Sequence, residues 1–270
     1  MATQLLMAKS PAEATGLKTA SAVYLAGGTE VNRLGSEVAE KADTLISLKK
    51  CSGLDRIEKT DEGIRIGAMC TFQQIAESEK VPGYMKEAVM FMASRTKRNM
   101  ATIGGNIAAL RSDSYLLPVL FAVCARLEVL TADGKENICV DSFKESAEAG
   151  KDMLITEVII PADIRVVSKR YSNTAQSHAV LTMSAALTEK GVAVAGAIKN
   201  CGIVRFREFE EKIRSNPDLS EEEIIEMVRN GSKLKIGDDM FGSEEYKRYL
   251  IGVTAYDLCS RLAGEDAKEV

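Results

Sequence analysis

The 270-residue chain is 46% hydrophobic and 27% charged, with 35 Lys and Arg against 39 Asp and Glu for a net charge of −4. At roughly 150 residues per domain this is one large domain or two modest ones, able to bury a core without staples. The acid excess, the absence of Trp and an aromatic content of 5% argue against nucleic acid, which needs clustered cations and stacking platforms.

Along the chain, Ser10-Pro11-Ala12-Glu13 predicts a capping box opening a short helix. Val23–Ala26 is a compact apolar strand that runs into Gly27-Gly28, and a helix follows over about 30–41. Thr44–Leu48 and the alternating Ile64–Ala68 read as strands. Thr71-Phe72-Gln73-Gln74 is a second capping box, starting a helix to Ser78. Met85, Ala88, Val89 and Met92 share one helical face, which makes 82–94 an amphipathic helix. Arg95, Lys97 and Arg98 read as a basic turn. Residues 113–125 predict a helix that tolerates Pro118 near its first turn. Leu127–Thr131 and Glu136–Val140 form a hairpin, and Leu154–Pro161 a strand stopped by its proline.

Beyond this point the texture changes. Residues 179–188 and 192–198 predict a long hairpin about Glu189-Lys190-Gly191. Ser220-Glu221-Glu222-Glu223 is a third capping box, and Tyr246, Leu250, Val253 or Thr254, Leu258 and Leu262 draw an apolar stripe up to Gly264. Residues 207–231 hold eight acids and four bases and read as a solvated helix face. Helices and short strands mix without a βαβα repeat, so the expected class is α+β. The domain boundary falls in the changed texture, giving 1–165 and 166–270.

A single histidine, His178, excludes any mechanism needing two, such as a His-rich zinc site. Its functional reading is a general acid; the plainer one is a polar residue at a strand start. None of the six cysteines has a C-x-x-C neighbour, so iron–sulfur and zinc-ribbon spacings are missing. Cys124, in an apolar run, reads as a small buried hydrophobe. Unpaired thiols suit a reducing cytoplasm, and neither a signal peptide nor a membrane span is predicted. No catalytic side chain and no metal ligand set stands out.

Two glycine pairs remain, in Leu25-Ala26-Gly27-Gly28-Thr29-Glu30-Val31 and Ala101-Thr102-Ile103-Gly104-Gly105-Asn106. A Gly-Gly step lets consecutive N–H groups converge on one anion, and two such loops could hold a pyrophosphate, its charge balanced by the basic turn. Taken singly, each pair is also compatible with an ordinary tight turn. Neither is a P-loop or a Rossmann fingerprint.

Those two loops, with Ile66-Gly67-Ala68, Thr71, Arg98-Asn99, Leu154–Pro161 and Ser243–Leu250, resemble the FAD-binding subunit of the xanthine dehydrogenase and carbon monoxide dehydrogenase family of molybdenum hydroxylases. The resemblance implies a vanillyl-alcohol-oxidase-type (PCMH-type) FAD domain of two α/β subdomains, then a small α+β domain of antiparallel sheet and helices. It implies FAD contacts at Leu25 to Val31 and Ala101 to Asn106, and flavin neighbours at Met92, Ala93, Leu154 and Ile155. Met92 departs from a position that is often aromatic, and Glu30 replaces a common Asp. Tyr115 stands where the family commonly has Asp, which leaves Asp113 and Ser114 as candidates; a family Lys corresponds to Lys169 or Arg170. The resemblance further implies a molybdenum-cofactor large subunit, a [2Fe–2S] small subunit and NAD⁺ or another acceptor. A stand-alone FAD-dependent reductase and a non-catalytic nucleotide-binding scaffold stay open as alternatives.

Overall fold

The computed structural model describes residues 4–33, 36–216, 219–231 and 234–264. Its strands, in chain order, are β1 Gln4–Met7, β2 Ala22–Leu25, β3 Thr44–Ser47, β4 Ile57–Thr60, β5 Gly63–Gly67, β6 Arg126–Thr131, β7 Gly134–Cys139, β8 Leu154–Ile160, β9 Arg165–Tyr171, β10 Leu181–Thr188, β11 Gly191–Ile198 and β12 Gly202–Arg205. Its helices are α1 Pro11–Gly16, α2 Glu37–Lys41, α3 Phe72–Glu77, α4 Gly83–Met90, α5 Arg95–Met100, α6 Ile103–Ala109, α7 Leu117–Ala122, α8 Val140–Glu148, α9 Arg207–Ser215, α10 Glu221–Gly231 and α11 Glu244–Ala263.

The chain forms two compact units and crosses between them repeatedly. One unit takes Met1–Val81, Ser94–Ala109 and Cys124–Ala162; the other takes Pro82–Ala93, Leu110–Val123 and Asp163–Val270.

In the first unit a parallel sheet runs β1-β3-β2, and an antiparallel sheet runs β4-β5-β8-β6-β7. Ala14, Ala22, Ile46, Leu48 and Leu154 share one buried cluster. The first predicted capping box forms by half. Ser10 Oγ accepts from the Glu13 N–H at 3.1 Å, though the Glu13 carboxylate reaches back to Lys9 N rather than Ser10 N. Thr71 and Gln74 make the full reciprocal box at the start of α3.

Several expectations are corrected. The basic turn is helix α5, because Ser94 Oγ accepts from Lys97 N and caps it. The helix expected over 30–41 is present as Glu37–Lys41, while residues 34 and 35 lie outside the described residues. The helix expected over 113–125 shortens to α7, since Ser114 Oγ takes the Leu116 and Leu117 N–H groups and holds the preceding residues as a turn. Cys124 is exposed rather than buried, because the chain reverses there with φ at +52°.

In the second unit an antiparallel sheet runs β12-β11-β10-β9. The hairpin β10–β11 pairs Leu181 with Ile198 through to Thr188 with Gly191. Its middle residues are almost all buried, so small Ala, Ser and Gly side chains leave room for packed helices. All six residues of α7 are buried. Helix α11 lays Leu250, Ile251, Ala255, Leu258 and Leu262 into the core with Val180, Leu181 and Met183. Tyr246 is exposed, and its neighbour Lys247 is the residue that goes inside, 1% exposed. Ser220 and Glu223 complete the third box at the start of α10. The acidic segment is not wholly solvated: Glu210 is buried, paired with Arg205, and accepts from Val194 N at 2.8 Å. Pro217 and Asp218 of that segment lie outside the described residues.

Candidate functional site

Strand β2 delivers the first glycine pair at its C-terminal end. The Leu25 carbonyl still accepts from Leu48 N, but from Ala26 the chain leaves the sheet and turns, with Asn32 N donating to Gly28 O at 2.9 Å. Gly28 has φ at +76°, the left-handed region that costs a residue with a Cβ about 1–2 kcal/mol. Gly27 meets a different demand. A Cβ there would lie 1.6 Å from the Met100 carbonyl oxygen, at the end of α5. The first loop is therefore pressed directly onto the start of the second.

The second pair lies inside the first turn of α6 rather than before a helix. Thr102 Oγ1 accepts from Gly105 N at 3.2 Å, and Thr102 O from Asn106 N at 3.0 Å. A Cβ on Gly105 would stand 3.7 Å from the Ala26 Cβ, so this turn faces the first loop. Together they border a cavity of about 240 Å³, lined on the polar side by Gly27, Gly28, Thr29, Thr102 and Gly105 and on the apolar side by Val23, Tyr24, Val31, Val38, Ala108 and Ala109.

Among the described residues no protein acceptor takes the backbone N–H of Gly27, Gly28 or Thr29. Gly27 and Gly28 are half-buried and Thr29 is exposed, and such donors are of the kind that backbone anion nests supply. Lys18 also lines the cavity; it pairs with Asp152 at 2.8 Å and lies 5.8 Å from the Tyr24 ring. Burial, and then Asp152, push the Tyr24 phenol up to about 12, so it is neutral. Glu30 is engaged with Arg33 at 3.0 Å. The donor set is thus backbone amides beside an apolar wall, which suits a phosphate joined to a flat ring. The volume is smaller than the roughly 300–1,000 Å³ of whole-ligand pockets and accommodates part of a dinucleotide.

The structure brings together Leu25–Val31 with Ala101–Asn106. Leu154 and Ile155 belong to the same unit as buried residues of β8. Met92, Ala93, Asp113 and Ser114 belong to the other unit, the first pair just beyond α4 and the second just before α7. Two of the basic residues have partners of their own: Arg95 pairs with Glu77 at 2.9 Å on the surface, and buried Arg98 donates to Gln73 Oε1 at 2.9 Å, while Lys97 is exposed. Arg98 is thereby committed to Gln73 rather than to the glycine loop. Sequence reasoning missed Lys18, Tyr24 and the Ala108–Ala109 wall; only the small residues following Asn106 hint at a surface left open.

Among the described residues no helix is long and apolar enough to cross a membrane. Residues 1–163 match the family described as the FAD binding domain in molybdopterin dehydrogenase. The uncharacterized protein YgfM of Escherichia coli K12 is 31% identical over 252 residues, 91% of this chain and 90% of that one. The glyceraldehyde dehydrogenase medium chain of Sulfolobus acidocaldarius is 25% identical, covering 85% of this chain and 86% of its own. In three dimensions the chain is similar to quinoline 2-oxidoreductase from Pseudomonas putida 86, with a TM-score of 0.82 at 18% identity and 99% of both chains covered.

Proposed function

The chain belongs to the family of FAD-binding domains of molybdopterin dehydrogenases, and from that premise we propose that it is the electron-transfer flavoprotein subunit of a molybdenum hydroxylase, xanthine dehydrogenase-like in its organisation. It is an oxidoreductase-family protein whose cofactor is FAD. In this reading it works in the cytoplasm with a molybdenum-cofactor large subunit and a [2Fe–2S] small subunit, and electrons leave to NAD⁺ or another acceptor. Support comes from a relative named as the medium chain of a dehydrogenase.

FAD supplies the redox chemistry when bound, and the protein's part is position and electrostatics. The N–H groups of Gly27, Gly28 and Thr29 would meet the pyrophosphate, with Leu25, Ala26, Glu30 and Val31 carrying the loop that presents them. Ala101 to Asn106 form the facing turn, and Val31, Ala108 and Ala109 exclude water from the apolar wall. Met92, Ala93, Asp113, Ser114, Leu154 and Ile155 stay with the proposal as positions implied by the family resemblance. The observation that carries this reading is the set of amide donors without protein acceptors where the two glycine loops meet.

The test is to purify the full chain, add FAD and measure bound flavin per chain. One FAD per chain is expected, and co-expression with its neighbours should bring down iron and molybdenum. Failure to retain flavin under any of these conditions would overturn the proposal.

A further inference from the structure

Strand β1 closes one side of the parallel sheet β1-β3-β2 and, among the described residues, pairs with β3 alone. Gln4 N donates to Asp43 O at 3.1 Å and Ala8 N to Ser47 O at 3.2 Å, so the even-numbered residues face β3. The N–H and C=O of Leu5 and Met7 therefore point away from the sheet. Their side chains are outside as well: Leu5 is 58% exposed and Met7 39%, while Ala8 is buried in the core. Native edges are commonly blunted by charge, proline or a bulge. Gln4-Leu5-Leu6-Met7 has neither charge nor proline, and its register with β3 is unbroken.

Lysines crowd the end of this strand. Lys9, two residues beyond Met7, and Lys49 and Lys50, just beyond Ser47, are all exposed, and Met7 is in register with Ser47. Ser52 N donates to Lys9 O at 3.3 Å, which holds the turn through 49–52 against the end of β1. Among the described residues none of these three ammonium groups is paired with a carboxylate. Glu13, on the adjoining helix, accepts from the Lys9 backbone N–H at 2.7 Å rather than from its ammonium.

We propose, on the reading of this chain as a flavoprotein subunit, that β1 is the docking edge for an extended segment of a partner subunit. That segment carries apolar residues for Leu5 and Met7 and carboxylates for Lys9, Lys49 and Lys50. Strand addition gives main-chain hydrogen bonds along the edge, and the flanking charges choose the partner. A second copy does not fit: β1 holds no acid, so pairing it with itself leaves the three lysines unanswered. Leu5, Leu45 and Val23 stand in one register row, and Val23 lines the cavity between the glycine loops. The docking edge thus lies two strand spacings, about 10 Å, from the strand that walls the cavity.

The test co-expresses the full chain with the molybdenum-cofactor large subunit and the [2Fe–2S] small subunit, and compares the complex with the chain alone by hydrogen exchange and mass spectrometry. Exchange over residues 4–9 is expected to slow on assembly, as the outward amides of Leu5 and Met7 gain acceptors. Lys9→Glu, Lys49→Glu and Lys50→Glu together should weaken association by about tenfold or more, whereas Lys9→Arg, Lys49→Arg and Lys50→Arg should retain it. Circular dichroism and bound flavin per chain establish that both variants are folded. Unchanged exchange over residues 4–9 in an assembled complex, or unchanged association of the charge-reversed variant, would overturn the proposal. So would slowed exchange there in the chain alone as it dimerises, which makes a second copy the occupant. A wild-type chain that binds flavin yet joins neither subunit would instead overturn the subunit reading, and this docking edge with it.

Discussion

Gly27 stands so close to the carbonyl oxygen of Met100 that a Cβ on it would come within 1.6 Å. That approach joins the end of β2 to the end of α5 and brings the amides of the two glycine loops to one cavity. The obstacle is backbone, which cannot swing aside as a side chain can.

Gly27→Ala is therefore expected to destabilise the chain by about 3 kcal/mol, the upper range for overpacking a tight site. Gly28→Ala places a Cβ at φ +76° and should cost about 1–2 kcal/mol. Urea denaturation measures both. Bound flavin per chain should fall further than stability in Gly28→Ala, because its turn presents the donors; a flavin content equal to wild type would count against that role.

Thr71→Ala removes the oxygen that accepts from Gln74 N at 3.2 Å and one side of the reciprocal box. A loss of about 1 kcal/mol is expected, read as a lower urea midpoint with unchanged slope.

Burial opposes ionisation of Asp113, but Arg111 and Lys199 outweigh it and hold the carboxyl at about 2 against an ordinary 3.8. The folded value is the lower one, so the stabilisation is complete above the unfolded value and is lost as pH falls through about 4 to 2. Asp113→Asn should cost about 2 kcal/mol at pH 7. The gap between wild type and variant should close toward pH 2 in urea titrations; a gap independent of pH would show that packing alone sets it.

Lys247 is buried, with Nζ 2.8 Å from Asp239 Oδ2 and 2.7 Å from the Gly237 carbonyl oxygen. Lys247→Met leaves the Asp239 carboxylate without its cation and should cost about 3–5 kcal/mol. Adding Asp239→Asn should recover part of that loss, and a double-mutant cycle in chemical denaturation measures how much.

Much of this fold is written in short-range chemistry. The three capping boxes, the hairpins β6–β7 and β10–β11 and the strand ended by Pro161 all depend on residues within a few positions of one another. The two glycine loops were legible for the same reason. Ser94 carried a comparable signal for α5, masked by the cations that follow it. What stayed hidden was decided by distant partners. Strand β1 exists because β3 accepts it in parallel register, and nothing in Gln4–Met7 announces that neighbour. Lys247 goes inside because a carboxylate from the preceding loop meets it. His178 read as an acid or a polar strand start, and its contact with Asp113 spans 65 positions of sequence.

The interleaving of the two units has a consequence for heredity. The second unit draws on three separate stretches of chain, and α7, from the middle one, has every side chain buried. No single cut separates one unit from the other. A fragment ending near residue 162 would carry α7 without the sheet that covers it, and the remainder would lack the helix its sheet requires. Recombination within this chain is thus constrained to trade whole molecules or isolated substitutions.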